Sequence, residues 1–342
     1  MVKGIARERV DPWLARHVAG AEPPFAYRLI TGGRSNLTYE VTDAAWSRFV
    51  LRRPPLGNVL ESAHYMGREH RLISALAPTA VPVPEPLAFC ADTAVGDAPF
   101  YVMRFVDGVV LESEQDAERC LDLAARERAS HALVDVLADL HRVDPDAVGL
   151  GDLGRKEGYV ERQLRRWHGQ FERSRSREVP AMDEAHRLLS ARVPPQRRTG
   201  IVHGDYRLGN CLVGPDGELR AVLDWELCTL GEPLADLGWV LAWWIEPRED
   251  PAAIGRSVPS TAGGFASRDA LVARYAERSG ADVGDVDFYV ALACWKLACI
   301  AEGVHARYRA GVMGDEDEDA VRAMADRVEA LAERAIALAT GP

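Results

Sequence analysis

The stretch that decides the fold is IVHGDYRLGNCLV, which runs from Ile201 to Val213. Both ends are apolar, as in short buried strands, whereas the middle holds a histidine, two glycines, an aspartate and an asparagine. A polar turn between two apolar runs is either an ordinary surface loop or a loop that carries function. The spacing of its polar residues can favour one over the other.

That spacing favours a loop that carries function over an ordinary surface loop. His203 and Asp205 are followed by Asn210, which gives the pattern H-x-D-x-x-x-x-N. In a kinase catalytic loop this pattern brings a carboxylate that accepts the proton of the attacking hydroxyl close to an amide that holds magnesium. We therefore predict that Asp205 is a catalytic base and that Asn210 is a magnesium ligand.

The residues that follow add a second metal ligand. In CLVGPDGELRAVLDWE, the turn residues 215–217 lie between two short apolar runs, which predicts a hairpin. Asp224 comes at the end of the second run, where a kinase places another metal carboxylate. Magnesium prefers a few protein oxygens together with phosphate oxygens. The alternative is that Asp224 caps the next helix.

The first hundred residues predict a small sheet. The segments AYRLITGG, NLTYEVTD and SRFVLRRPP are rich in β-branched and aromatic residues, and polar or glycine-rich turns separate them. Residues 59–77 have the apolar spacing of one helix. Two further extended segments follow, VPVPEPLAFC and APFYVMRFVDG. We therefore predict about five strands with one inserted helix.

This sheet also carries candidate phosphate-binding residues. The turn within ITGGRSNLTYEV offers Gly32, Gly33, Ser35 and Asn36. Glycine lets backbone N–H groups approach phosphate oxygens, although a plain hairpin turn has a similar sequence.

Two charged residues could hold the same phosphates. Arg52 stands where the V-A-I-K strand of a kinase carries its lysine, and Glu69 lies in the following helix. Arginine binds phosphate in a planar bidentate manner, so an Arg52–Glu69 pair could grip a nucleotide. Arg53 could fill the same role, and a solvated charged surface is the alternative for all three.

Beyond residue 115 the apolar spacing is mostly helical. A chain of 342 residues exceeds the usual size of one core. The fold class predicted is therefore α+β and bilobal, with a β-rich nucleotide-binding lobe at residues 1–107 and a mostly helical lobe at 108–342.

Composition excludes some classes of protein. The net charge of −11 argues against nucleic-acid binding through a basic field. No uninterrupted apolar run of about 18 residues and no apolar leader at the N-terminus are found, so we expect no membrane partner and no secretion. The six cysteines form no C-x-x-C pair, which favours buried thiols in a reducing cytoplasm over zinc. Composition leaves the oligomeric state open.

Together these motifs resemble the aminoglycoside phosphotransferase family, which is related to choline kinases. HGDYRLGN, LDWE and GEPLADLGW carry the resemblance, which covers roughly residues 25–310. It implies a protein-kinase-like fold that uses ATP, or GTP, with magnesium to phosphorylate a hydroxyl of a small molecule. It gives Asp205 the role of base and makes Asn210 and Asp224 the magnesium ligands.

The resemblance implies supporting roles as well. Asp236 would brace the catalytic loop, and His203 would hold the loop from within. The segment YVMRFVDG resembles a hinge whose backbone at Arg104, Phe105 and Val106 would meet adenine. The segment VLRRPP resembles the branch of the family fused to acyl-CoA dehydrogenases, whose substrates are hydroxyacyl-CoA thioesters.

The acceptor remains open at this point. The acidic run MGDEDEDAV at 313–321 could attract a polycationic aminoglycoside, or it could favour a helix N-terminus. Arg162, Arg165, Arg166 and Trp167 could meet an anionic acceptor, or they could form a solvated helix face with one core tryptophan.

The tryptophans after the metal aspartate raise the same question. They could line an acceptor pocket or belong to the core: Trp225, Trp239, Trp243 and Trp244. A nucleotide-binding module without catalysis is a further alternative. The joint presence of Asp205, Asn210 and Asp224 argues against it.

Overall fold

The computed structural model describes residues 2–32, 36–56, 59–247, 249, 254, 257–311 and 318–341. At residues 31, 32, 59–65, 318 and 320 it describes the backbone alone. The chain divides into two compact units. The N-terminal unit comprises Met1–Gly108 with Arg220–Glu226, and the C-terminal unit comprises Val109–Leu219 with Leu227–Pro342.

The N-terminal unit is built on a five-stranded sheet of order β1-β2-β3-β5-β4. Every neighbouring pair in it is antiparallel. The strands are β1 Ala26–Gly32, β2 Leu37–Thr42, β3 Arg48–Arg53, β4 Pro86–Cys90 and β5 Phe100–Arg104. The mixed fold class and the small sheet predicted from the sequence are confirmed.

Three helices accompany this sheet. The predicted one is α2, Val59–Leu76, and the sequence did not predict α1, Arg7–His17, or α3, Thr93–Gly96. Alternate residues of β2, such as Tyr39 and Val41, are buried in one apolar core with Trp13 of α1. Side chains at every second position of a strand point to the same face. Burying them therefore packs that face of the strand against the core.

The C-terminal unit is mostly helical. Its helices are α4 Glu114–Cys120, α5 Leu123–Arg142, α6 Tyr159–Ser174, α7 Pro180–Ala191, α8 Leu234–Trp243, α9 Arg268–Ser279, α10 Val286–Arg309 and α11 Glu318–Thr340. The short strands β6, Gly200–Val202, and β9, Thr229–Gly231, pair antiparallel. The acidic run predicted at 313–321 lies outside the described residues as far as residue 317, and α11 begins directly after that point.

Helix α10 is the central helix of this unit. By length and composition it could cross a membrane, but 72% of its most apolar window is buried within the protein. Trp295, Ala298 and Cys299 are among its buried residues. A helix that is apolar on all sides is typical of a buried core position, and α10 occupies such a position here.

Two short strands follow the catalytic-loop motif. They are β7, Cys211–Val213, and β8, Leu219–Val222. The intervening turn is closed by a hydrogen bond from the Gly214 N–H to the Glu218 carbonyl at 2.9 Å. Gly217 has φ +86°, a conformation that favours glycine. Between Asp224 and Leu234 the chain forms the 3-10 turn Trp225–Leu227 and then β9, which pairs with β6, a strand about thirty residues earlier.

Helix α8 packs against α10 through a glycine, which generates a stability prediction. A Cβ added at Gly238 would lie 2.4 Å from the backbone of Tyr289, whereas one at Gly303 would meet only ordinary contacts near 3.8 Å. We expect Gly238→Ala to destabilise the protein by about 1–3 kcal/mol, because backbone must move. Gly303→Ala should stabilise it by about 0.5–1 kcal/mol, because alanine favours a helix interior.

Both substitutions add one methyl group within a helix, so each controls for the other. Thermal unfolding midpoints should shift in opposite directions. A shift of the same sign in both variants would contradict the close approach of α8 to α10.

Candidate active site

The loop after β6 carries the predicted catalytic residues and makes a sharp turn at its second residue. Gly204 has φ +86°, and a Cβ there would lie 3.0 Å from the Leu227 carbonyl oxygen. Both facts require glycine at this position. The chain therefore turns directly after the strand and presents Asp205.

A buried carboxylate fixes this turn. Asp236, on α8, is 1% exposed and accepts the N–H groups of His203 at 2.6 Å and Gly204 at 2.8 Å. The Nε2 atom of His141 lies 3.3 Å from the same carboxylate. Burial alone would raise the pKa of Asp236, but its hydrogen bonds and the nearby histidines lower it overall. Asp236 therefore stays ionised and binds the loop backbone, as its predicted bracing role requires.

His203 is bonded within the loop. Its ring is fully buried, and Nδ1 accepts the N–H of Asp205 at 3.3 Å. The ring also meets Tyr206 edge-on, with centroids 5.7 Å apart. These contacts place His203 beneath the loop and suit the structural role predicted for it.

Asp205 is oriented by two donors. Its Oδ1 accepts the indole N–H of Trp239 at 2.8 Å, and its Oδ2 accepts the amide Nδ2 of Asn210 at 2.8 Å. The same Nδ2 donates to the Asp205 carbonyl at 2.7 Å. Because the amide nitrogen is used in this way, the amide oxygen is the atom that Asn210 could offer a metal.

Lys296 is a functional candidate that was missed from the sequence. Its Nζ donates to the Gly204 carbonyl at 2.8 Å and lies 4.0 Å above the Trp239 ring. Burial lowers the pKa of Lys296 to about 8, although Asp205 and Asp236 act in the opposite direction. A lone lysine inside the apolar run LACWKLACI was the available signal.

Arg207 adds a second cation beside Asp205. Its Nη1 donates to Glu112 at 3.0 Å, and its Nε lies 3.7 Å from Asp205 Oδ1. Its guanidinium stands 5.2 Å over the ring of Trp243. The side chain is therefore held in place by a carboxylate and an aromatic face.

A cavity of about 320 Å³ opens beside Asp205 within the C-terminal unit. Its polar lining consists of one carboxylate and three cations, together with two tryptophans and an apolar wall. The lining residues are Asp205, Arg207, Leu227, Trp239, Trp243, Lys296, Leu297, Ile300, Ala301, Val304, Met324 and Arg327. Of the four tryptophans for which a pocket and a core position were both open, Trp239 and Trp243 therefore line this cavity.

The other two tryptophans are core residues. Trp225 is buried and donates to the Val222 carbonyl at 3.1 Å, and Trp244 is buried and donates to the Ala266 carbonyl at 3.0 Å. On α6, Arg165 and Arg166 are exposed whereas Trp167 is buried. Among the two readings of that helix, the solvated face with one core tryptophan agrees with this burial.

In the N-terminal unit, Arg52 is held between two carboxylates. Its Nε lies 3.1 Å from Glu69 Oε2, and its Nη2 lies 2.7 Å from Asp224 Oδ1. Burial alone would lower the pKa of Arg52, but the two carboxylates and Tyr101 raise it overall. Burial raises the pKa of Glu69 despite the opposing charge of Arg52. The structure thus brings together the pair expected from the sequence and adds Asp224 to it.

Arg53 points elsewhere. It is buried, and its guanidinium donates to the carbonyls of Gly4 and, at 2.9 Å, of Gly96. Successive residues of a strand face opposite sides. Of the two candidate arginines, Arg52 is therefore the one beside Glu69 and Asp224.

Asp224 lies two residues beyond β8 and has φ +61°, a strained conformation for a residue other than glycine. Helix α8 begins at Leu234 with Pro233 as its N-cap residue, so Asp224 does not cap α8; the residues directly after Asp224, Trp225–Leu227, form one 3-10 turn. An outlier that persists at a candidate site is a reason to consider function.

The remaining predicted residues are placed as follows. Gly32 ends β1 and pairs with Leu37, and Asn36 lies just before β2, whereas Gly33 and Ser35 lie outside the described residues. The backbone N–H of Arg104 donates to Glu85 at 2.8 Å, and that of Phe105 donates to Arg48 at 3.4 Å. Val106 is half-buried. The hinge role of residues 104–106 stays a prediction.

The described residues contain no cluster of three or more His, Cys, Asp or Glu side chains able to hold a metal ion. The carboxylate of Asp224 in the N-terminal unit and the amide oxygen of Asn210 in the C-terminal unit are nevertheless each the type of oxygen that magnesium binds. This ion usually takes few protein ligands and fills its shell with water and phosphate oxygens. The residues therefore fit the predicted metal.

A family model described as the phosphotransferase enzyme family matches residues 26–278. The chain belongs to this family. Acyl-CoA dehydrogenase family member 11 from Gallus gallus is 32% identical over 336 residues, which is 96% of the chain. The match covers 42% of that relative, so the chain spans about two fifths of its length.

Solved structures agree with the family assignment. A protein of Ralstonia eutropha JMP134, provisionally named an aminoglycoside phosphotransferase, is 32% identical, with 97% of each chain covered and a TM-score of 0.82. An aminoglycoside phosphotransferase solved as a ternary complex with streptomycin and ATP is 12% identical. It covers 88% of this chain and 91% of its own, with a TM-score of 0.60, and shares the fold alone. The predicted family and protein-kinase-like fold are thus confirmed.

The buried position of Lys296 predicts a pH-dependent stability. Its pKa is about 8 in the folded protein and near 10.5 in the unfolded chain. Between these pH values the unfolded state binds more protons, so this group makes unfolding less favourable as pH rises. Between pH 8 and pH 10, we expect the free energy of unfolding of the wild type to rise by about 1–2 kcal/mol relative to that of Lys296→Met.

Urea unfolding of both proteins across this pH range measures the difference in their free energies of unfolding. The contributions of titrating groups that both proteins share cancel in this difference. Parallel stability curves would contradict a buried, easily deprotonated lysine.

Proposed function

We propose that this member of the phosphotransferase enzyme family transfers the γ-phosphoryl group of ATP to a hydroxyl of a small molecule. The observation that supports this most directly is the setting of Asp205. Its carboxylate is held by Trp239 and Asn210 and faces a cavity able to receive an acceptor. A general base must lie within hydrogen-bond reach of the hydroxyl that it deprotonates.

The remaining roles come from the sequence motifs and are supported by local geometry. We assign Asn210 and Asp224 as magnesium ligands, and Arg52, oriented by Glu69, as the cation for phosphate oxygens. When bound, magnesium neutralises charge on the phosphates. Gly32, Gly33, Ser35 and Asn36 are assigned to the phosphate turn, and the backbone of Arg104, Phe105 and Val106 to adenine.

The main task of the protein in this reaction is to position the reacting groups. In phosphoryl transfer the protein aligns the nucleophile and stabilises charge, with little covalent chemistry of its own. Trp239 and Asn210 each occupy one oxygen of Asp205, which fixes the plane of the carboxylate. Asp236 fixes the backbone that carries it. The base is thereby preorganised before any acceptor binds.

The charge of the cavity guides the choice of acceptor. The cavity lining carries the cationic groups of Arg207, Lys296 and Arg327 beside the carboxylate of Asp205, and Arg207 is also paired with Glu112. A polycationic aminoglycoside would meet repulsion there, whereas an anionic acceptor would be attracted. The relative from Gallus gallus is an acyl-CoA dehydrogenase family member. We therefore favour a hydroxyacyl-CoA thioester over an antibiotic as the acceptor.

We take ATP as the donor and GTP as the alternative to be assayed beside it, since structural neighbours were solved with ATP and with GDP. We place the protein in the cytoplasm, which suits its six free thiols, five of them buried and Cys120 half-buried. The competing proposal is a nucleotide-binding module without turnover.

The first test is ATP turnover on hydroxyacyl-CoA thioesters, aminoglycosides, choline-like alcohols and sugars. We expect magnesium-dependent phosphorylation of hydroxyacyl-CoA thioesters. Asp205→Asn should lose at least about a hundredfold in kcat, because a positioned general base contributes about that much or more. Product formation is followed by mass spectrometry of the phosphorylated acceptor.

Nucleotide binding separates the assigned roles. Asp205→Asn should bind ATP in the presence of magnesium as the wild type does, whereas Asp224→Asn should lose that binding. Equal loss in both variants would refute the division of roles. Wild-type turnover no faster than that of Asp205→Asn on every acceptor would favour the module without catalysis.

A second test addresses the orientation of the base. Trp239→Phe keeps an aromatic side chain, with a smaller ring, but removes the N–H that donates to Asp205. A hydrogen bond to a charged group contributes about 1.5–3 kcal/mol, so we expect kcat to fall roughly 10- to 100-fold with little change in ATP affinity.

Trp244→Phe is the matched control, because it also loses an indole hydrogen bond, but that bond runs to the Ala266 carbonyl and not to Asp205. An equal loss of kcat in the two variants would show that packing, and not the bond to Asp205, is responsible.

A further inference from the structure

The cavity beside Asp205 has one wall that the proposed chemistry does not use. Leu297, Ile300, Ala301 and Val304 lie on one face of α10, spaced three or four residues apart, and Met324 of α11 completes the wall. This spacing aligns side chains along one helix face. The wall is therefore a continuous apolar strip that leads away from the base.

We propose that this strip binds the aliphatic tail of the acceptor beyond the carbon that bears the reacting hydroxyl. This inference rests on the proposed function, because it takes Asp205 as the base that faces that hydroxyl. The tail lies along α10, the hydroxyl meets Asp205, and the tail length that fits is set by Ile300 and Val304.

The chemistry of the wall selects against a sugar. A hydroxyl buried against Ile300, Val304 or Met324 without a partner loses its hydrogen bonds to water and weakens binding. Each methylene group buried there strengthens binding, because apolar surface leaves water. An acceptor with several hydroxyls is penalised repeatedly, whereas an alkyl chain gains with every carbon that the wall covers.

The polar lining describes the other part of the same acceptor. Arg207, Lys296 and Arg327 lie in the same cavity and complement an anionic group. That group is either the carboxylate of a free hydroxy acid within the cavity or a phosphate of a CoA thioester at the cavity opening. A volume of about 320 Å³ lies at the low end for small-ligand sites, so the cavity holds a tail and its hydroxyl but not a whole CoA.

The test uses a series of hydroxyacyl-CoA thioesters in which only the tail beyond the hydroxyl lengthens. For the wild type, kcat/KM should rise with tail length up to a limit. In Val304→Phe the larger side chain fills the cavity, so kcat/KM for the longest good acceptors should fall about tenfold or more. The shortest acceptor should react as before. Ile300→Ala should move the preferred length upward.

Ala306→Phe is the matched control, because residue 306 is on the same helix but not in the cavity lining. It should leave the tail-length profile unchanged. Thermal unfolding and ATP binding confirm that each variant folds. If Val304→Phe does not fold, Ile300→Ala carries the test alone, since it adds no volume.

Calorimetric binding of the same series at saturating magnesium–ADP separates this proposal from the proposed function. Affinity that depends on tail length, and that Val304→Phe weakens for long tails, supports the tail site even without turnover. A tail-length profile that is the same in wild type, Val304→Phe and Ile300→Ala overturns it. Absence of turnover on every acceptor, with binding intact, counts against the proposed function alone.

Two further ligands identify the anionic group. A free hydroxy acid that binds as well as its CoA thioester assigns the cations to a carboxylate. Binding that needs the CoA thioester and is lost with the pantetheine thioester assigns them to CoA phosphates. Equal binding of CoA and pantetheine thioesters, with none of the free acid, overturns the role given to the three cations.

Discussion

The catalytic loop depends on one buried carboxylate. Asp236 accepts two successive backbone N–H groups, those of His203 and Gly204, while His141 approaches it from α5. An ionised group is costly to bury unless its oxygens are satisfied. Here the donors that satisfy it are the backbone of the loop itself. The hydrogen bonds that stabilise the charge of Asp236 therefore also fix the loop backbone after β6. They thereby set the direction in which Asp205 projects from that loop.

The two units hold buried charges in different ways. Arg52 is enclosed by Glu69 and Asp224, so its charge is neutralised by direct ion pairs and its pKa rises. Lys296 instead faces a carbonyl and two indole rings, and burial lowers its pKa to about 8. Aromatic faces and a carbonyl stabilise a cation less than a carboxylate does. Because of that difference, the pKa of Lys296 is more sensitive to its surroundings than the pKa of Arg52.

Several elements could be predicted from the sequence because their signals are local. The strands of the first hundred residues are rich in β-branched and aromatic residues, α2 has helical spacing over Val59–Leu76, and residues 215–217 form the expected turn. Others could not be predicted. Strand β9 exists through pairing with β6, which lies about thirty residues earlier, and α1 is stabilised by packing on the sheet. Such stabilisation comes from contacts remote in sequence.

The same division holds for the candidate site. By itself, the sequence determined the family, the fold class and the candidate residues Asp205, Asn210 and Asp224, because fixed spacing along one loop and strand places them. Only the tertiary structure showed that Arg52, and not Arg53, faces Glu69, and that Trp239 and Lys296 reach the loop of Asp205. Helices α8 and α10 bring these last two side chains to the loop, and no spacing within a single segment encodes how two distant helices pack.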